Sequence, residues 1–343
     1  MSLSDYHATS GNWREQLRRN ERKTRYVILT FFLVYLTVGL VADTFILQSY
    51  YPRAPLVACL KALLTLQVIP YATLIMVAVA AISLLITYAM YDRIMLLGTN
   101  SREITPETAQ NLREKQLYNV VEEMKVAAGL QYMPKVYLIE ANYMNAFASG
   151  YSEKSAMVAI TRGLMDKLDR AEMQAVMAHE LSHIRHHDIK LTLMVAVLSN
   201  ILLVVIDVLF YAVIFKRSKK QDNRLLMVIV LLRYILPLLT VVLALFLSRT
   251  REYMADAGSV ELMRDNEPMA RALMKISQDH EVHAQDYVEE YGNTAHEEIR
   301  QASYLFDPKS IDPVKSLSSA LSTHPNLEQR LKALGFKSKA KAE

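Results

Sequence analysis

The chain has 343 residues, 52 % of them hydrophobic, with a net charge of +4 and one cysteine. That hydrophobic share is high for a soluble chain and directs attention to membrane segments, while the basic residues sit in short clusters beside apolar runs and not along one polar face, which excludes a nucleic-acid partner. Cys59 alone can form no internal disulfide, multi-cysteine zinc site or C-x-x-C redox pair, so a metal must be held by His, Asp or Glu.

Six basic residues between Arg14 and Arg25 precede an apolar run over residues 26–46, too long for the core of a signal peptide and therefore a retained membrane anchor. A second run, 67–91, is uncharged and long enough, at ~1.5 Å per residue, to cross a hydrocarbon layer of ~30 Å. Residues 56–66 pack beside it or lie at the interface. The pattern then turns polar over 92–190. Pro106 suits the start of a helix in which Leu117, Val120, Val121, Met124 and Ala128 recur at helical spacing up to Gly129, a C-terminal stop. Three stretches of strand length follow, 135–140, 145–150 and 156–161, with a turn-prone segment from Gly150 between the last two; they predict a small antiparallel sheet. Asp169, with Glu172 three residues on, forms a capping box that opens a further helix. Apolar runs 191–215 and 225–247, separated by a short basic stretch, predict a transmembrane hairpin. The expected organisation is a basic segment 1–25, two membrane helices within 26–91, a first soluble part 92–190, the hairpin 191–247, a second soluble part 248–335 and a charged tail 336–343.

The helix opened by Asp169 carries His179-Glu180-Leu181-Ser182-His183. Residues four apart share a helical face, ~5–6 Å from one another, so His179 and His183 can present two imidazoles to one zinc ion. Glu180, on the adjoining edge, can take the proton of a water as it attacks a carbonyl and return it to the leaving amine, and zinc lowers the pKa of such a water toward ~7. A catalytic zinc wants three protein ligands and an open position. Glu252 is the best candidate for the third: it stands four residues before Asp256, which can accept the second ring N–H of a zinc-bound histidine. Asp188, five residues after His183, is a weaker candidate for that supporting task. The bland alternative, a solvated helix with two surface histidines, leaves the downstream Glu252 and Asp256 pattern unexplained. His280 and His283 lack a surrounding carboxylate pattern and read as solvated, and a zinc held with Glu252 has no vacancy for His186 or His187.

Together with Asn145-Ala146-Phe147-Ala148-Ser149-Gly150, Ser248-Arg249-Thr250-Arg251-Glu252 and Thr323-His324-Pro325, these motifs resemble those of the HtpX-type membrane metallopeptidases, gluzincins related to the CAAX-processing proteases. With the membrane segments in matching positions, the resemblance covers nearly the whole chain. It implies a zinc endopeptidase of membrane-protein quality control in a bacterial inner membrane, one Zn2+ per chain on His179, His183 and Glu252, Glu180 as general base, and an active site on the cytoplasmic side. Residues 145–150 have two readings, an ordinary edge strand with Phe147 in the core or a strand beside which a substrate backbone pairs, and the resemblance favours the second. His324 is either a turn residue before Pro325 or a donor to the developing oxyanion.

The expected fold is thus a mainly α membrane protein with about four transmembrane helices and a gluzincin-like cytoplasmic metallopeptidase domain containing a small β-sheet, acting on peptide or membrane-protein substrates at the lipid bilayer. The basic residues before the first apolar run favour a cytoplasmic N-terminus, whereas Lys216, Arg217, Lys219, Lys220 and Arg224 at the hairpin tip go against the positive-inside tendency. Asp207 and Arg233 are equally far from Lys220, so a close-packed hairpin would pair them; the alternative is that each snorkels separately. A helix continuing from His183 toward Leu191 would hold the site near the bilayer surface. The rivals are a non-hydrolytic zinc-bound scaffold, which has no need of a proton shuttle such as Glu180; a protease processing lipidated C-termini, which needs a larger chamber than about four spans enclose; and a transporter using Asp207 and Arg233 in a polar path.

Overall fold

The computed structural model describes residues 3, 6–8, 13–96, 98–150, 152–215, 223–287, 305 and 324–338. In chain order the elements are β1 (Tyr6–Ala8), α1 (Trp13–Tyr50), α2 (Leu56–Leu64), α3 (Tyr71–Leu96), β2 (Ser101–Ile104), α4 (Leu112–Ala128), β3 (Lys135–Ile139), β4 (Ala146–Ser149), β5 (Met157–Thr161), α5 (Arg162–Lys167), α6 (Arg170–Arg185), α7 (Asp188–Phe215), α8 (Asn223–Met263), α9 (Glu267–Val282), α10 (Leu327–Ala333) and β6 (Phe336–Ser338). They fall into two units, one of residues 24–88 and 192–246 and one of residues 1–23, 89–191 and 247–343.

The first unit is apolar and helical. Stretches of α1, α7 and α8 are long and apolar enough to cross a membrane, and α3 adds a shorter apolar stretch, Tyr71–Thr87, as the fourth. Their shared core contains Tyr35, Val38, Phe45, Met76, Leu202, Ile206 and Leu236. One buried charge is absorbed there. Asp43 accepts the backbone N–H of Ala72 at 2.7 Å and of Thr73 at 3.0 Å, and the Thr73 hydroxyl at 2.6 Å, so it caps the start of α3 where the helix dipole favours a carboxylate. Gly39 permits the approach, since a Cβ there would lie 2.5 Å from Thr73 Oγ1. Asp207 and Arg233 do pair, Nε donating to Oδ1 at 2.9 Å, and the guanidinium carbon stands 3.8 Å from the centre of the Phe210 ring. The basic tip expected between them falls largely at 216–222, outside the described residues.

The second unit holds a four-stranded sheet ordered β2-β3-β5-β4. It is mixed, not antiparallel as the sequence predicts: β3 runs parallel to β5, with Val136 opposite Val158, while β2 with β3 and β4 with β5 are antiparallel. Between β3 and β5 the chain first crosses to the sheet edge to form β4, then returns at Gly150, and such a crossover is what a parallel pair requires. Gly150 has φ +121°, and a Cβ on it would lie 2.6 Å from Ala156 Cα. Strand β2 was not expected at all. Helix α4 begins at Leu112, not near Pro106, because the Asn111 side chain accepts the Glu114 N–H as cap while Pro106 lies in the preceding turn; it ends at Gly129, φ 70°. Asp169 and Glu172 form the expected capping box of α6, which packs against α4, α9 and the sheet. That helix stops at Arg185. His187, at φ 55°, turns the chain before α7 starts at Asp188, so no single helix runs from His183 toward Leu191. Phe336, Lys337 and Ser338, expected in a charged tail, belong to β6, which pairs with β1; residues 339–343 lie outside the described residues.

Candidate active site

Helix α6 brings His179 and His183 onto one buried face, and α8 brings Glu252 to them. The two Nε2 atoms face each other at 3.2 Å, and the Glu252 carboxylate oxygens lie 3.7 Å from His179 Nε2 and 3.6 Å from His183 Nε2. One ligand atom from each of the three lies within 4.8 Å of the others. Two imidazole lone pairs at that separation repel unless a proton or cation stands between them, so the donor set itself fits a metal ion with two nitrogens and one carboxylate. Among the described residues this is the His/Cys/Asp/Glu group able to hold one.

Around the three stands a second ring that fixes them. Asp256 Oδ1 is 3.0 Å from His179 Nδ1, and Asp188 Oδ2 is 2.7 Å from His183 Nδ1, so each imidazole has its own carboxylate on the nitrogen turned away from the cluster. The carboxylates are held in turn. Arg330 donates to Asp256 through Nε at 2.9 Å and Nη2 at 2.6 Å, and Arg251 Nε is 3.2 Å from Asp188 Oδ1. The break at His187 allows this symmetry, because it sets Asp188 at the start of a new helix and within reach of His183. Arg330 and Arg251 are not legible as site residues from spacing: Arg330 arrives from α10, far along the chain, and Arg251 adjoins Glu252 with nothing local to show that it turns to Asp188.

The titration of these groups follows from burial set against partners. Burial would lower the His179 pKa, but the Asp256 and Glu252 carboxylates beside its ring outweigh it and raise it to about 9. Burial would raise Glu252, yet His324 and His179 beside it hold it well below the usual carboxylate range. Asp188 and Asp256 are likewise lowered against their burial, chiefly by Arg251 and Arg330 respectively. Glu180 differs: burial pushes it up, and both its carboxylate oxygens are enclosed without a hydrogen-bond partner. The cluster therefore attracts positive charge at the paired imidazoles and keeps one carboxylate uncommitted beside them.

The remaining expected residues are placed as follows. Strand β4 is an edge strand, and Asn145, Ala146, Phe147, Ala148 and Ser149 are all buried, with Phe147 in the core. Because Thr161 N–H donates to Asn145 O, the alternation along the strand turns Ala146 and Ala148 outward, away from β5. His324 Nδ1 is 3.5 Å from Glu252 Oε2, so it stands at the cluster and not in a remote turn; Thr323 lies outside the described residues. His280 corrects the expectation of a solvated side chain: it is 1 % exposed, its Nδ1 is 2.9 Å from Ile276 O, and Tyr287 packs edge-on against it.

Residues 111–336 match Peptidase family M48. The chain is 38 % identical over 323 residues to a "Protease HtpX homolog" of Helicobacter acinonychis, covering 94 % of this chain and 98 % of that protein. A "Protease HtpX homolog" of Streptococcus uberis is 33 % identical over 331 residues, covering 93 % and 98 % respectively. The crystal structure of S. mikatae Ste24p aligns with a TM-score of 0.48 at 18 % identity, covering 90 % of this chain and 66 % of that one. With the buried His-His-Glu group, the apolar helices and a family match over most of its length, the chain belongs to Peptidase family M48 and is a membrane metalloprotease.

Proposed function

We propose that the protein is a zinc endopeptidase of membrane-protein quality control, with His179, His183 and Glu252 as the metal ligands and Glu180 as the general base. The observation that carries this reading is the convergence of two Nε2 atoms and one carboxylate beside a buried carboxylate with no partner of its own. A zinc ion bound there supplies a Lewis acid that polarises the scissile carbonyl and makes water acidic enough to lose a proton near neutral pH. Glu180 takes that proton and passes it to the leaving amine nitrogen, and its enclosed position favours proton uptake. Asp256 and Asp188 hold each imidazole in the tautomer that turns Nε2 to the cluster. His324 donates to the oxygen that gains negative charge during attack.

Substrate lies along β4 as an added strand, bonding through its main chain to the outward edges of Ala146 and Ala148, so the enzyme accepts many sequences in extended form. The catalytic residues face the cytoplasm of a bacterial cell: six basic residues lie in the first turns of α1, before its apolar stretch, and α1 and α3 return the chain to the same side. The relatives' naming as protease homologs supports the peptidase reading. Chelation tests the metal: treatment with 1,10-phenanthroline should abolish casein cleavage and added Zn2+ should restore it, whereas cleavage that survives complete metal removal overturns this reading.

A further inference from the structure

The edge of β4 already carries one hydrogen bond from outside the sheet. Leu305 N–H donates to Ala146 O at 2.9 Å, the bond that a residue of an added strand would make there. Its carbonyl is also engaged, accepting from Arg330 Nη1 at 2.7 Å. Its side chain is 1 % exposed, so a large aliphatic group is fully housed at this point. Both main-chain groups of Leu305 are therefore hydrogen-bonded and its side chain is buried, within reach of the cluster: Arg330 also grips Asp256 and stands 3.6 Å from Glu252.

We propose that Leu305 occupies a substrate-residue position on the β4 edge, so that this subsite takes an extended peptide through a large aliphatic side chain, and Leu305 is its internal competitor. The proposal rests on the reading of β4 as the substrate strand. A leucine, and not a polar residue, fits the position because the side chain leaves water entirely, and burying an unpaired polar group there would be unfavourable. Main-chain bonds at Ala146 and Arg330 are indifferent to sequence, so selectivity at this point comes from the aliphatic group. An internal ligand also lowers apparent affinity for every external one by the fraction of chains in which the subsite is vacant.

The test is binding, which does not depend on turnover. A fluorescein-labelled decapeptide with the sequence of residues 301–310 is titrated onto the full chain in detergent, in a Glu180→Gln background that prevents cleavage. Leu305→Asp, which empties the subsite, should bind it about tenfold tighter than the chain with Leu305 intact. Leu305→Ala, the milder change, should fall between the two. A peptide carrying Leu305→Asp in its own sequence should fail to compete. Equal affinities for all three proteins, or equal competition by both peptides, would overturn the proposal. If Leu305→Asp does not fold, the Leu305→Ala protein and the two peptides still decide it. Casein cleavage by the wild-type chain is measured in parallel: its absence would sink the peptidase reading, while cleavage with unchanged peptide affinities would sink only the role of Leu305.

Discussion

The two units of the molecule bury charge in opposite ways. In the apolar unit Asp43 is neutralised by a helix start, a local and complete arrangement with nothing left over, and Asp207 is paired with Arg233. In the catalytic unit the charges come in layers, with Arg330 on Asp256 on His179 and Arg251 on Asp188 on His183, and the innermost layer is left with Glu252 and Glu180 facing two imidazoles. A carboxylate that caps a helix stabilises the fold. A nested set whose centre still attracts a cation stabilises it only when that cation is bound, because buried unpaired charge is otherwise unfavourable.

Substitutions that exploit this difference should sort by layer. The largest effect is expected in the innermost: Glu252→Ala should bring bound zinc, measured by atomic absorption, close to zero. One layer out, Asp256→Asn or Asp188→Asn should keep the metal but weaken it by ~10- to 100-fold in competition with a chelator, as supporting partners of metal-bound histidines do. In the apolar unit Asp43→Ala should leave zinc untouched and lower thermal stability in detergent by about 1–2 kcal/mol, the loss of a helix cap; a change in metal content with Asp43→Ala would break the contrast. Asp207→Asn and Arg233→Gln should be coupled in a double-mutant cycle by roughly 0.5–1 kcal/mol, whereas additive effects would mean that the pair contributes nothing.

The smallest expected effect concerns pH. Burial would raise the pKa of Glu114, but the Gln110 N–H and Arg102 outweigh it and hold it below 4.5. A depressed folded-state value gives stability that is present above the unfolded value and lost as pH falls through the folded one. Thermal stability should therefore decline on acidification below about pH 4.5, and less steeply in Glu114→Gln; parallel slopes in both proteins would contradict the assignment.

How much of this could be read from the sequence depended on distance along the chain. The capping box of α6, the His179 and His183 spacing, the Glu252 and Asp256 spacing and the stop at Gly129 are local patterns, and helical geometry turns each into a shared face or an end. The pairing of Asp207 with Arg233 was open to reading because a hairpin relates the two by symmetry. What escaped was set by tertiary pairing: the parallel register of β3 and β5, the strand β2, the reach of Arg330 from α10 and the seat of Leu305 on β4. The helix break at His187 escaped for another reason, since a histidine with positive φ gives no sign in a polar stretch.

The central claim is a metal-dependent peptidase whose base is Glu180, and the most direct measurement is zinc content together with casein cleavage in detergent for the wild type and Glu180→Gln. The account predicts about one zinc per chain in both proteins, with cleavage reduced by at least ~100-fold in the variant alone. A wild type that binds no zinc, or a variant that cleaves as fast as the wild type, would contradict it.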